Sequence, residues 1–64
     1  MQRKQQLITI LAGTEGWFFD ETGTAMMQFE FDTFGILLDT RDQQCEILVS
    51  GEIFQIAVRD IKYV

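Results

Sequence analysis

Sixty-four residues with five Lys and Arg against ten Asp and Glu make one small acidic domain of net charge −5. Nearly half the residues are hydrophobic, six are Phe, and Pro and His do not occur. That composition excludes a disordered tail, removes the commonest acid–base residue of catalysis, and counts against strong sequence-independent binding to nucleic acid, which comes from neutralising phosphates.

A chain this short buries only ~60% of its unfolded surface, so a lone monomer is marginal. The usual remedies are disulfides, a metal or oligomerisation. Cys45 is the single cysteine, which rules out an internal disulfide. Without His, a zinc cage would need carboxylates or a second chain. Oligomerisation is the remedy left. No apolar run is long enough to span a bilayer. Met1-Gln2-Arg3-Lys4 precedes an apolar stretch, but Thr9 breaks it and no small-x-small cleavage pattern follows. The expected location is cytoplasmic, with Cys45 a reduced core residue.

Residues 2–12 read two ways. Leu7, Ile10 and Leu11 have helical spacing, and Gly13 sits where a left-handed residue would end a helix. Against this, Ile8, Thr9 and Ile10 are β-branched and prefer strands. Trp17, Phe18 and Phe19 then form a short aromatic strand. Asp20-Glu21-Thr22-Gly23 supplies a hairpin turn.

Residues 26–32 alternate, with Met27, Phe29 and Phe31 on one face and Gln28, Glu30 and Asp32 on the other. This places Phe31 and Phe29 in the core, Met27 with them, and Met26 at an interface. Asp32-Thr33 breaks the alternation. Phe34, Ile36, Leu37 and Leu38 fit a strand covered on both faces. Gly35 inside it marks either a close approach or a sharp bend, and in a small barrel the bend is the better reading. Strands over 45–49, 53–58 and 61–64 complete the set, separated by polar or Gly turns. Six short strands at close spacing indicate a small all-β barrel, one domain over 1–64 without repeats or linkers.

Catalysis has little to rest on. No Ser or Cys has a base beside it in sequence, and most carboxylates fall in turns or on the polar face of the alternation. The segment 39–42 lacks the Gly and further acids of a calcium loop. The expectation is no enzyme, no metal and no cofactor.

Two segments carry a family resemblance. Residues 31–38, FDTFGILL, resemble the first motif of the Sm, Lsm and Hfq-like family, and residues 56–64, IAVRDIKYV, resemble the second. The resemblance covers roughly residues 26–38 and 53–64, and elsewhere only length and element order correspond. The resemblance implies a strongly bent SH3-like barrel of Sm type with five to six strands. It also decides the N-terminal ambiguity for a short helix over 1–13 lying on a barrel over 14–64. Trp17 beside Phe18 and Phe19 puts at least one large aromatic on the outer face, as a contact for that helix, the better reading, or as an exposed patch for a partner. The resemblance further implies a homo-oligomeric ring of five to seven copies, closed by pairing the strand over 53–58 with the last strand of the next copy.

In such rings single-stranded RNA binds at the pore. By resemblance Phe34 holds the base-stacking position and Arg59 the bracing position, with Asp32 completing the set. The chain departs from the pattern at three places. Ile36 stands where Sm proteins have Asn, Gln55 and Ile56 stand where Hfq has Lys-His, and Asp60 replaces a Gly. The stacking platform is kept while most hydrogen-bonding and cationic parts are lost. Residue by residue, Phe34 also reads as a core aromatic and Arg59 as the partner of Asp60 or Asp32, of this or the next copy, in an ion pair. The implied function is RNA binding by a divergent ring, and the alternative is an acidic protein-interaction module that keeps the ring without the RNA site. In brevity and acidity the chain resembles Sm-like proteins of viral (phage) genomes.

Overall fold

The computed structural model describes residues 5–64, and they are all-β. Seven strands follow in chain order: β1 (Gln6–Ile10), β2 (Glu15–Asp20), β3 (Gly23–Gln28), β4 (Thr33–Arg41), β5 (Gln44–Val49), β6 (Glu52–Ala57) and β7 (Ile61–Tyr63). A single 3-10 turn, Val58–Asp60, links β6 to β7. All pairings are antiparallel, in the spatial order β3-β2-β6-β5-β4-β1-β7.

The sheet curls around one core. Ile8 and Ile10 of β1, Ile47 of β5, Phe54 and Ile56 of β6 and Ile61 of β7 share a single buried cluster. Strands far apart in the spatial order therefore touch the same interior. Closure is incomplete, and β3 and β7 remain as open edges. The strand β6, expected as a ring-forming edge, has β5 on one side and meets β2 on the other through Trp17 and Gln55.

The expected N-terminal helix is replaced by β1. Its residues pair with β4 on one side and β7 on the other. Strand periodicity sends Ile8 and Ile10 inward and leaves Leu7 and Thr9 outside. β-branching and two flanking ladders outweigh the helical spacing of Leu7, Ile10 and Leu11. Residues 1–4 of that expected helix lie outside the described residues. Gly13 is left-handed, at φ 89°, but in the turn from β1 to β2. There its N–H donates to Phe29 O. With no α-helix among the described residues, Trp17 and Phe19 are left exposed rather than covered.

The β2–β3 hairpin forms where expected. The Asp20 carboxylate accepts from the Thr22 hydroxyl at 2.7 Å and from the Thr22 N–H at 2.8 Å, closing the turn. These bonds hold the Asp20 carboxyl below its ordinary range, the hydroxyl contributing most.

Strand β3 stops at Gln28, four residues before the expected end. Phe29 is buried, but the chain bends at Phe31 and turns that ring out, 79% exposed. Local bonds fix the bend: Thr33 Oγ1 donates to Phe31 O at 2.8 Å, and Ala12 N–H donates to Asp32 Oδ1 at 2.8 Å. Two-residue alternation requires a continuous strand, so the inward placement of Phe31 fails with the strand. Met27 shares the inward parity of its partner Gly16 yet lies exposed, as does Met26.

Cys45 occupies the core and its Sγ donates to Ile56 O at 3.2 Å. Burial pushes its thiol above the ordinary value of 9.0. The folded state thus favours the neutral thiol. That contribution is complete below the unfolded pKa and is lost as pH rises through the folded one. We expect the urea midpoint to fall above about pH 9, and to fall less in Cys45→Ala. A Cys45→Ala profile that matches wild type would remove this thiol from the alkaline loss.

Candidate functional site

The three residues of the implied RNA site do not converge. Phe34 lies on the outer face of β4, opposite Thr9, and is 67% exposed. This excludes the core-aromatic reading of Phe34. Arg59 stands on the 3-10 turn, exposed, with no carboxylate at ion-pairing distance among the described residues. Within one copy, Arg59 therefore does not pair with Asp60 or Asp32. Asp32 is held to the β1–β2 turn by the Ala12 N–H.

Arg59 borders an open groove of about 480 Å³ whose other walls include Ala12, Gly13, Trp17, Gln55 and Asp60. Phe34 is not among its lining residues. Within one copy, a base stacked on Phe34 therefore has no shared cavity with Arg59. A ring would have to bring the two together from different copies.

A larger open cavity of about 630 Å³ lies over the β4–β5 hairpin and is walled by Asp39, Arg41, Asp42, Gln43, Glu46 and Gln55 among others. Arg41 pairs with Asp39, two residues earlier on β4, at 3.5 Å. Among the described residues no three His, Cys, Asp or Glu side chains gather as metal ligands would, and no helix is long and apolar enough to cross a membrane.

The most unusual surface is apolar. Ten large hydrophobic side chains are exposed among the described residues. Registry joins several of them into one row through the half-buried Ile36 and Leu48. Leu7 of β1 is opposite Ile36 of β4, Ile36 is opposite Leu48 of β5, and Leu48 is opposite Ile53 of β6. Directly opposed residues share a sheet face. Ile53 borders a shallow cavity with Phe19 of β2, which extends the row to a fifth strand. Phe34, two residues from Ile36, and Trp17, two residues from Phe19, widen it on the same face. Met26 faces Trp17 across the hairpin.

Sequence reasoning reached two parts of this surface, Met26 at an interface and Trp17 as the lesser reading of an exposed patch, but not the row that joins the strands. Its signal was nevertheless present, because the segments 36–38, 47–49 and 53–54 place apolar residues on both faces of a strand. Both faces of such strands need cover, and one chain covers only the inner one.

No protein-family model, curated protein or solved structure matches this chain.

Proposed function

We propose that this chain is an acidic, homo-oligomeric protein-interaction module built on an SH3-like barrel of Sm type. The observation that carries the reading is the outer apolar row over five strands, exposed at Leu7, Phe34, Ile53, Phe19 and Trp17 and half-buried at Ile36 and Leu48. A soluble monomer rarely presents so continuous an apolar surface, and patches of this kind mark protein–protein contacts. Support for the barrel type comes from the curled sheet and from the 3-10 turn that leads β6 into a final strand beside β1. A ring of five to seven copies closed by strand pairing would use the open edges β3 and β7. Light scattering at micromolar concentration should report an oligomer, and a mass of 7.4 kDa would reject the reading.

A second reading, single-stranded RNA binding, is favoured by one observation. The Phe34 ring is open to solvent and could take a stacked base. Against it stand the net charge of −5 and the separation of Phe34 from the Arg59 groove. Fluorescence anisotropy with U-rich and A-rich oligonucleotides, at low and physiological salt, separates the two readings. The interaction-module reading expects no binding at tens of micromolar protein. The RNA reading expects binding that Phe34→Ala weakens by roughly 1–3 kcal/mol per site. It also expects Asp60→Gly to strengthen binding, most clearly at low salt where repulsion is least screened.

A further inference from the structure

The apolar row has two ends with different surroundings. At one end, Phe19 and Ile53 share a shallow cavity with Glu46 and Glu52, and Asp20 and Glu21 follow Phe19 in the chain. At the other end, Phe34 faces Thr9, and Thr9 faces Lys62 of β7. An acidic rim therefore surrounds the first end, and a Lys stands beside the second. The Asp32 carboxylate near Phe34 is engaged by the Ala12 N–H.

The row crosses five strands of a sheet curled around one core, so its ends face different directions. A two-fold partner seated on one end would leave the other bare. It would also set Glu46 and Glu52 against their own copies, and like charges brought together oppose docking. A head-to-tail contact avoids both faults, because it covers both ends and sets the acidic rim against Lys62. Heterologous contacts of this kind build rings or open chains.

The apolar surface is also larger than a typical monomer exposes. Leu7, Trp17, Phe19, Met26, Phe34 and Ile53 are each between 45% and 72% exposed. With roughly 200 Å² for a large side chain, together they present about 650 Å². That exceeds the ~300–600 Å² of the largest patch on a typical monomer, but a head-to-tail contact shares it between the two ends that meet, so one contact buries less than the ~1,600 Å² total of a standard interface. None of the six is charged, so an acidic chain can meet its own copy there.

We propose that the Phe19–Ile53 end of one copy docks on the Phe34–Leu7 end of the next, through side chains of the outer sheet face. This rests on the homo-oligomer reading and puts its contact on the outer sheet face in place of the β3 and β7 edges. The test uses two variants, Phe19→Glu and Phe34→Glu, each at an exposed position and each checked for wild-type circular dichroism. Light scattering of each alone should report 7.4 kDa. An equimolar mixture should report twice that mass, because each variant retains the end the other lacks.

Other outcomes overturn the proposal, and they are distinguishable. A mixture that stays monomeric, or dissociation by one variant alone, indicates a two-fold contact. Wild-type mass in both variants moves the contact to the β3 and β7 edges and leaves the homo-oligomer reading standing. A monomeric wild type ends that reading and this one together.

Discussion

Phe54→Ala should abolish the folded domain or leave it barely populated, while Phe31→Ala should leave it intact. Phe54 is buried in β6, and its ring meets Phe18 and Phe29 edge-on, with centroids 5.2 Å away in both cases. Gly16 leaves the space this trio occupies: a methyl group there would lie 2.9 Å from the Phe29 ring and 3.2 Å from Phe54. Truncating a buried Phe to Ala costs about 3–5 kcal/mol, and each lost aromatic pair adds roughly 0.5–1.5 kcal/mol of specific geometry. A domain of this length has on the order of 3–10 kcal/mol in total. Phe31 makes no comparable contacts, and substitution at so exposed a site should shift stability by no more than about 0.5 kcal/mol. Urea titration followed by near-ultraviolet circular dichroism measures both. A wild-type midpoint for Phe54→Ala, or a large loss for Phe31→Ala, would place the core on the other ring.

The contrast between the two Phe residues shows what was legible in the sequence. Alternation identified a strand in this region and an inward Phe29. It could not locate the end of that strand, because the bend depends on the Ala12 N–H reaching Asp32 from twenty residues away. The all-β class and six of the seven strands followed from short apolar segments and their turns. The seventh, β1, was hidden by a spacing that fits a helix and a strand equally. Its state is set by β4 and β7, neither of which is a local feature.

The site was less legible than the fold. Phe34 and Arg59 were selected by their places in two short motifs, and motif position carries no information about which side of a curled sheet a residue occupies. The apolar row requires the registers of four strand pairings before its members become neighbours. Leu7 and Ile36, or Leu48 and Ile53, are unrelated in sequence until those registers are known. Two-faced apolar strands announced that a second cover was needed, but only the pairing shows its direction.

Gly35→Ala should destabilise the domain by about 1–3 kcal/mol, the range for adding a methyl to a full core. The sign depends on which of two roles Gly35 has. If it only relieved a bend, Ala would be accommodated, and replacing Gly within a strand would stabilise by roughly 0.5–1 kcal/mol through reduced chain entropy. The space around Gly35 decides against that role. A Cβ there would lie 2.6 Å from Ile47 Cγ2, 3.1 Å from Leu48 O and 3.1 Å from Val49 Cγ2. The first distance is below any tolerated contact, and the second is to backbone, which cannot swing aside. Gly35 therefore lets β4 and β5 approach over Ile47, while the bend expected of it is produced three residues later, by the register shift between Leu37 and Asp39. Ile47→Ala offers a check within the same pair. Alone it should cost about 2–5 kcal/mol. In the Gly35→Ala background it should cost less, because it also removes the offending methyl. A double-mutant cycle from urea denaturation reads that coupling directly. Additive losses would mean that the strain lies against the Leu48 carbonyl rather than Ile47, and a stabilised Gly35→Ala would return the residue to the role of bend.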